Sequence, residues 1–185
     1  KGDTDVLEAG VVPENAEDRS VSWASTDSSI CSVTQTGVVT GVNIGETSIL
    51  AVSVSGKMAR CDVTVVNPVT GVSLNKSQLT MTKGTTENLI ATVSPSDATN
   101  KSVSWMSSDP SVCTVSDSGK VKAVGAGAAT ITVMTQEGGY YAECVVEVTI
   151  PVTGITLDRY SLALPPGGTN QLTATVWPQE ASDKT

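Results

Sequence analysis

The stretch "SVSWASTDSSICSV" occupies residues 20–33, and "SVSWMSSDPSVCTV" occupies residues 102–115, 82 positions later. Fourteen residues written almost identically twice in a chain of 185, tryptophan and cysteine included, point to a duplicated structural unit rather than a duplicated active site. Outward from this line the self-similarity continues. "PVTGVSLNKSQLTMTKG" (68–84) returns as "PVTGITLDRYSLALPPG" (151–167), shifted by 83. "VTQTGVVTGVNIGETSI" (33–49) returns as "VSDSGKVKAVGAGAATI" (115–131), shifted by 82. The one-residue gain falls beside "SGK" or "EGG", where a hairpin loop absorbs it.

One complete repeat therefore runs over 68–150. Residues 1–67 read as a partial copy without the counterpart of 68–82, and 151–185 as the opening strands of a third copy. Within the complete repeat, apolar residues alternate with polar ones in short runs bounded by turn residues, and no helical period occurs. "SVCTV" and "KVKAV" flank "SDSG", and "ATITVMT" and "YAECVVEVTI" flank "QEGG", two hairpin signatures. About seven short strands per repeat predict an all-β chain of tandem β-sandwiches. The "VNPVTG" and "TIPVTG" joints are too short for a flexible linker, which predicts successive domains nearly in line.

Composition narrows the function classes. The net charge is −8 and no basic run exists, so nucleic acid is not an expected partner. No stretch reaches the roughly 18 apolar residues of a membrane-spanning helix. Lys1 in place of Met, with no signal peptide, fits a processed or excised segment. With no histidine in the sequence, Ser–His and Cys–His nucleophile arrangements are absent, and the cysteines lack zinc-site spacing. "DTD" (3–5) and "SSDPS" (107–111) lack the oxygen spacing of a calcium loop. "VGAGA" (124–128) has no helix after it to make a phosphate cradle. Neither a cofactor nor a catalytic residue is expected.

Several ordered elements together carry a resemblance: the "P-x-x-A" before the Trp strand, "W-x-S" with its Asp, and the "G-x-V-x-x-V-x-x-G" stretch. On these the chain resembles the bacterial immunoglobulin-like domain, group 2 family, over essentially all of 68–150 and most of the rest. The resemblance implies Ig-like sandwiches in extracellular bacterial or phage proteins, commonly repeated in adhesins and surface-layer proteins or placed beside carbohydrate-active modules. It carries over no catalytic residues.

Trp23 alternates in phase with Val21, and Trp105 with Val103, so each reads as a core anchor; a sugar-stacking platform is the functional alternative. Trp177, which replaces Ser94 of the previous repeat, and the Tyr140–Tyr141 pair are the better contact candidates, with loops 94–101 and 136–140. Cys31, Cys61, Cys113 and Cys144 all read as inward-facing, two per repeat. They are either Cys31–Cys61 and Cys113–Cys144 disulfides or small core hydrophobes; the exterior setting that the resemblance implies favours the bridges.

The leading expectation is a non-enzymatic stalk or fibre segment whose partners are neighbouring repeats. The rival is an adhesion or polysaccharide-binding module with a host receptor or glycan as partner. Two expectations stand for residues 151–164: either they only mark where a longer array of repeats is cut, or Val152, Ile155, Leu157, Leu162 and Leu164 complete the 1–67 sandwich of another molecule and build a filament head to tail.

Overall fold

The computed structural model describes residues 2–184, and no helix occurs among them. The chain divides into two compact units, Lys1–Val69 with Pro95–Asn100, and Thr70–Ser94 with Lys101–Thr185.

The first unit holds β1 (Thr4–Val6), β2 (Val21–Ser25), β3 (Cys31–Val33), β4 (Val38–Gly41), β5 (Gly45–Ser53) and β6 (Met58–Val65). They form two three-stranded sheets, ordered β1-β4-β3 and β2-β5-β6. Side chains of alternate residues meet between the sheets: Trp23, Cys31, Val39, Ile49, Ala51 and Val65 make one buried cluster.

The second unit contains β7 (Gly71–Leu74), β8 (Gln78–Thr82), β9 (Thr86–Asn88), β10 (Ala91–Ser94), β11 (Val103–Ser107), β12 (Cys113–Val115), β13 (Lys120–Ala123), β14 (Gly127–Thr135) and β15 (Tyr141–Thr149). One sheet runs β11-β14-β15-β8, a second β12-β13-β9, and β10 pairs with β7. Nine strands replace the roughly seven expected, because the apolar run around residue 90 is two strands and the opening Gly71–Leu74 segment is a further one. Val121 faces Glu87 across the β13–β9 ladder, whereas Val93 faces Val72 across the β10–β7 ladder. Leu89 sits at the crossing, buried, its N–H donating to the Gly119 carbonyl at 2.9 Å. Hydrophobic alternation reports burial and cannot tell which sheet a strand joins.

The long hairpin β14–β15 supplies the core: Ile131, Val133, Cys144 and Val146 are all fully buried. β8 closes this sheet by parallel pairing with β15, with Leu79 beside Val146 and Met81 beside Val148. The last described strands, β16 (Gly154–Leu157) and β17 (Ala174–Trp177), pair antiparallel as β7 and β10 do.

Candidate functional site

The duplicated line folds into a strand, a turn and a second strand, and both tryptophans pack under a glycine. Trp105 lies across the ladder from Val133 and Trp23 from Ala51. Gly119, at φ +79°, places its Cα so near Trp105 that a Cβ there would lie 2.8 Å from Cζ2 and collide with the Leu89 carbonyl oxygen. Gly37, at φ +81°, holds the same position over Trp23, beside the Leu7 carbonyl. The N–H of Leu7 donates to Gly37 and that of Leu89 to Gly119, each at 2.9 Å, so a short strand is fastened against each indole. The spacing from Trp to Gly is 14 residues in both copies, a signal in the sequence that identifies the pair. In the first unit the Gln35 amide also brackets Trp23, donating to its carbonyl at 3.0 Å and accepting from its N–H at 3.1 Å.

Between Trp and Cys, the aspartate of each copy caps a turn. Asp109 Oδ1 accepts from the Ser111 N–H at 2.9 Å and from its hydroxyl at 2.6 Å; Asp27 does the same with Ser29. These donors hold both carboxyls below the usual aspartate range, the serine hydroxyl contributing most. The acidic group in "SSDPS" is thus bonded within its own turn.

The cysteines occupy facing sheets: Cys113 on β12 and Cys144 on β15, Cys31 on β3 and Cys61 on β6. Burial pushes the thiols of Cys31, Cys113 and Cys144 up, with the Cys61 thiol adding to the rise at Cys31 and the Cys113 thiol to that at Cys144. All four are free thiols in this structure, and neither of the two expected bridges is formed in it. They fill core volume as small apolar side chains. Cys113 and Cys144 are fully buried, whereas Cys61 is only partly so, because β6 is the outer strand of its sheet.

The aromatic contact candidates do not share a sheet. Trp177 is 47% exposed on β17, its indole N–H donating to Thr156 Oγ1 at 3.4 Å. Tyr140 and Tyr141, also exposed, belong to the β14–β15 hairpin, where Tyr140 folds over Gly138. Loop 94–101 is less available than its polarity suggests. Ala98 is buried, and Thr99 is hydrogen-bonded in both directions to Asn67 at 2.8 Å.

Beside the end of β6 lies a groove of about 410 Å³ whose walls include Cys31, Val39, Val63 and Val65. β6 corresponds to β15 but ends its sheet, whereas β15 also carries β8. Of the residues expected to donate a strand, Ile155 and Leu157 are already paired in β16, whereas Leu162 and Leu164 lie in no strand and are exposed, as is Val152.

Two facing sheets around a Trp core, written once per repeat, define an immunoglobulin-like β-sandwich. The model of the bacterial Ig-like domain (group 2) matches residues 1–63 and 68–146, and the chain belongs to that family. An uncharacterised protein of Clostridium acetobutylicum is 36% identical over 149 residues, 79% of this chain and 15% of the relative. An Ig-like virion protein of Serratia phage KSP90 is 33% identical over 147 residues, 76% of this chain and 57% of that protein. An alpha-L-arabinofuranosidase of Bifidobacterium longum is 44% identical over 80 residues, 43% of this chain and 8% of the enzyme. The chain thus spans less than two thirds of each of these relatives.

Proposed function

We propose that this chain is a non-enzymatic spacer, a run of Ig-like repeats in the stalk or fibre of an extracellular or cell-surface prokaryotic or phage protein, holding another module away from a surface. The observation that carries this reading is the use of the duplicated line: Trp23, Trp105 and the cysteines beside them pack in the two cores. The Ig-like virion relative supports a structural setting of this kind. The glycosidase relative is consistent with the same domain serving as an accessory to a catalytic module elsewhere in a chain.

A second reading, an adhesion or carbohydrate-binding module for a host receptor or polysaccharide, is favoured by the exposed indole of Trp177 and the exposed Tyr140–Tyr141 pair. Equilibrium binding of the chain to immobilised polysaccharides, with Trp177→Ala as the control, separates the two.

Two finer features belong to the spacer reading. In an oxidising exterior the facing thiols close into Cys31–Cys61 and Cys113–Cys144 bridges, each pair giving two protons and two electrons to an oxidant such as oxidised glutathione. Head-to-tail association is the other: residues 160–164 of one molecule lie parallel to β6 of the next, with Leu162 beside Val63 and Leu164 beside Val65, as Leu79 and Met81 lie to β15. Native mass spectrometry of the glutathione-oxidised chain reads both. The expected spectrum lacks free thiols and shows concentration-dependent oligomers that Leu162→Asp with Leu164→Asp removes. Four alkylatable thiols would contradict the bridges, and a strict monomer at all concentrations would contradict the donation.

A further inference from the structure

The "P-x-x-A" element, so far only a family marker, sits at a hydrogen-bonded joint that recurs with the period of the repeat. In the first unit the N–H of Asn67 donates to Thr99 Oγ1 and the N–H of Thr99 donates to the Asn67 carbonyl, both at 2.8 Å. In the second unit, 83 residues on, the N–H of Ile150 donates to Ser182 Oγ and the N–H of Ser182 donates to the Ile150 carbonyl, again both at 2.8 Å. Asn67 and Ile150 each follow the last strand of a repeat and precede Pro68 or Pro151. Thr99 and Ser182 each follow the buried alanine of a P-x-x-A turn, closed by Ala98 N–H to Pro95 O at 2.9 Å and Ala181 N–H to Pro178 O at 3.0 Å.

Two independent copies with the same atoms in the same roles are not an accident of one loop. The two sides of the joint make different demands on sequence. The pre-proline residue contributes only its backbone, so asparagine and isoleucine serve equally. A proline next in the chain biases that residue to an extended conformation. The opposite residue must offer a short side-chain acceptor next to its own N–H, which threonine and serine both do. In the second unit Lys83 and Glu180, 3.6 Å apart, add an ion pair between the complete repeat and the same P-x-x-A turn.

We propose that Thr99 and Ser182 form a repeat-to-repeat clasp, a docking surface on the P-x-x-A turn whose partner is the last strand end of the preceding repeat. The hydroxyl and N–H together fix the pre-proline residue, so the joint resists bending at the point where a spacer would otherwise flex. The residue equivalent to Thr99 in the first copy is Glu17, on the same P-x-x-A turn, closed by Ala16 N–H to Pro13 O at 3.0 Å.

The test uses the whole chain with Thr99→Val, Ser182→Ala and the conservative Thr99→Ser. Native-state amide exchange at Asn67 and Ile150 is expected to speed roughly fivefold in the respective loss variants and to stay unchanged in Thr99→Ser, since one net hydrogen bond is removed. Exchange at Ile131 and Val146 in the core should not move. Backbone relaxation and residual dipolar couplings supply the readout that local loop support would leave alone: in Ser182→Ala, residues 151–184 should move with larger amplitude against the 68–150 core. Unchanged exchange at Asn67 and Ile150, or unchanged alignment of the two segments in Ser182→Ala, would overturn the clasp.

Discussion

Truncation of Trp105 to alanine is expected to destabilise the complete repeat by about 3–5 kcal/mol, the usual cost of removing a large aromatic from a packed core. A domain of this size has only about 5–15 kcal/mol of net stability, so the loss is a large share of what holds the fold. The indole lies under Gly119 and packs against the cluster that holds Val121, Ile131, Cys144 and Val146; the last three are fixed in the β14–β15 ladder and Val121 in the ladders of β13, so none is free to fill the space. Trp177→Ala is the matched control: nearly half exposed on a two-stranded sheet, it should cost about 1 kcal/mol or less. Urea unfolding followed by circular dichroism measures both. Equal losses for the two variants would mean that Trp105 is no more an anchor than Trp177.

Gly119→Ala is expected to cost about 2–5 kcal/mol through two separable effects. A non-glycine residue at φ +79° costs roughly 1–2 kcal/mol. Overpacking against the Trp105 ring and the Leu89 carbonyl adds about 1–3 kcal/mol. Gly84 isolates the first effect, because its φ is +88° and nothing lies within 4 Å of the position a Cβ would take. Gly84→Ala should therefore lose only the smaller sum, and the difference between the two variants, read from the same urea titrations, measures the steric contact with the indole. A Gly119→Ala variant no less stable than Gly84→Ala would remove the glycine from its role as the lid on the tryptophan.

These two residues show what a sequence of this kind discloses and what it withholds. Repetition and period-two alternation disclose the all-β class and the inward direction of Trp23, Trp105 and the cysteines, because burial imposes a pattern along the chain; the family shows in the ordered motifs shared with its members. Facing partners are another matter. Leu89 reads as one point in a continuous apolar run, yet it is where the strand passes from one ladder to the other. Thr99 reads as an ordinary polar loop residue because its partner, Asn67, lies 32 positions away. Residues 152–157 read as part of a free donor, although the third copy already supplies their partner strand in β17. In each case the missing information is a long-range pairing, which alternation does not encode. The cysteine pairs lie between these extremes: their facing positions follow from strand parity, and their redox state does not.

The exposed aromatics leave one direct question for the spacer account, whether any ligand is held. The decisive measurement is equilibrium binding of the intact chain to a panel of plant, algal and bacterial polysaccharides and host-surface glycoproteins, with Trp177→Ala alongside. The account predicts retention no greater than that of an inert protein control and no difference between the two chains, because Trp23 and Trp105 are packed in the cores. Saturable binding to one ligand class that Trp177→Ala abolishes, with the fold intact by circular dichroism, would contradict it and make the chain a recognition module.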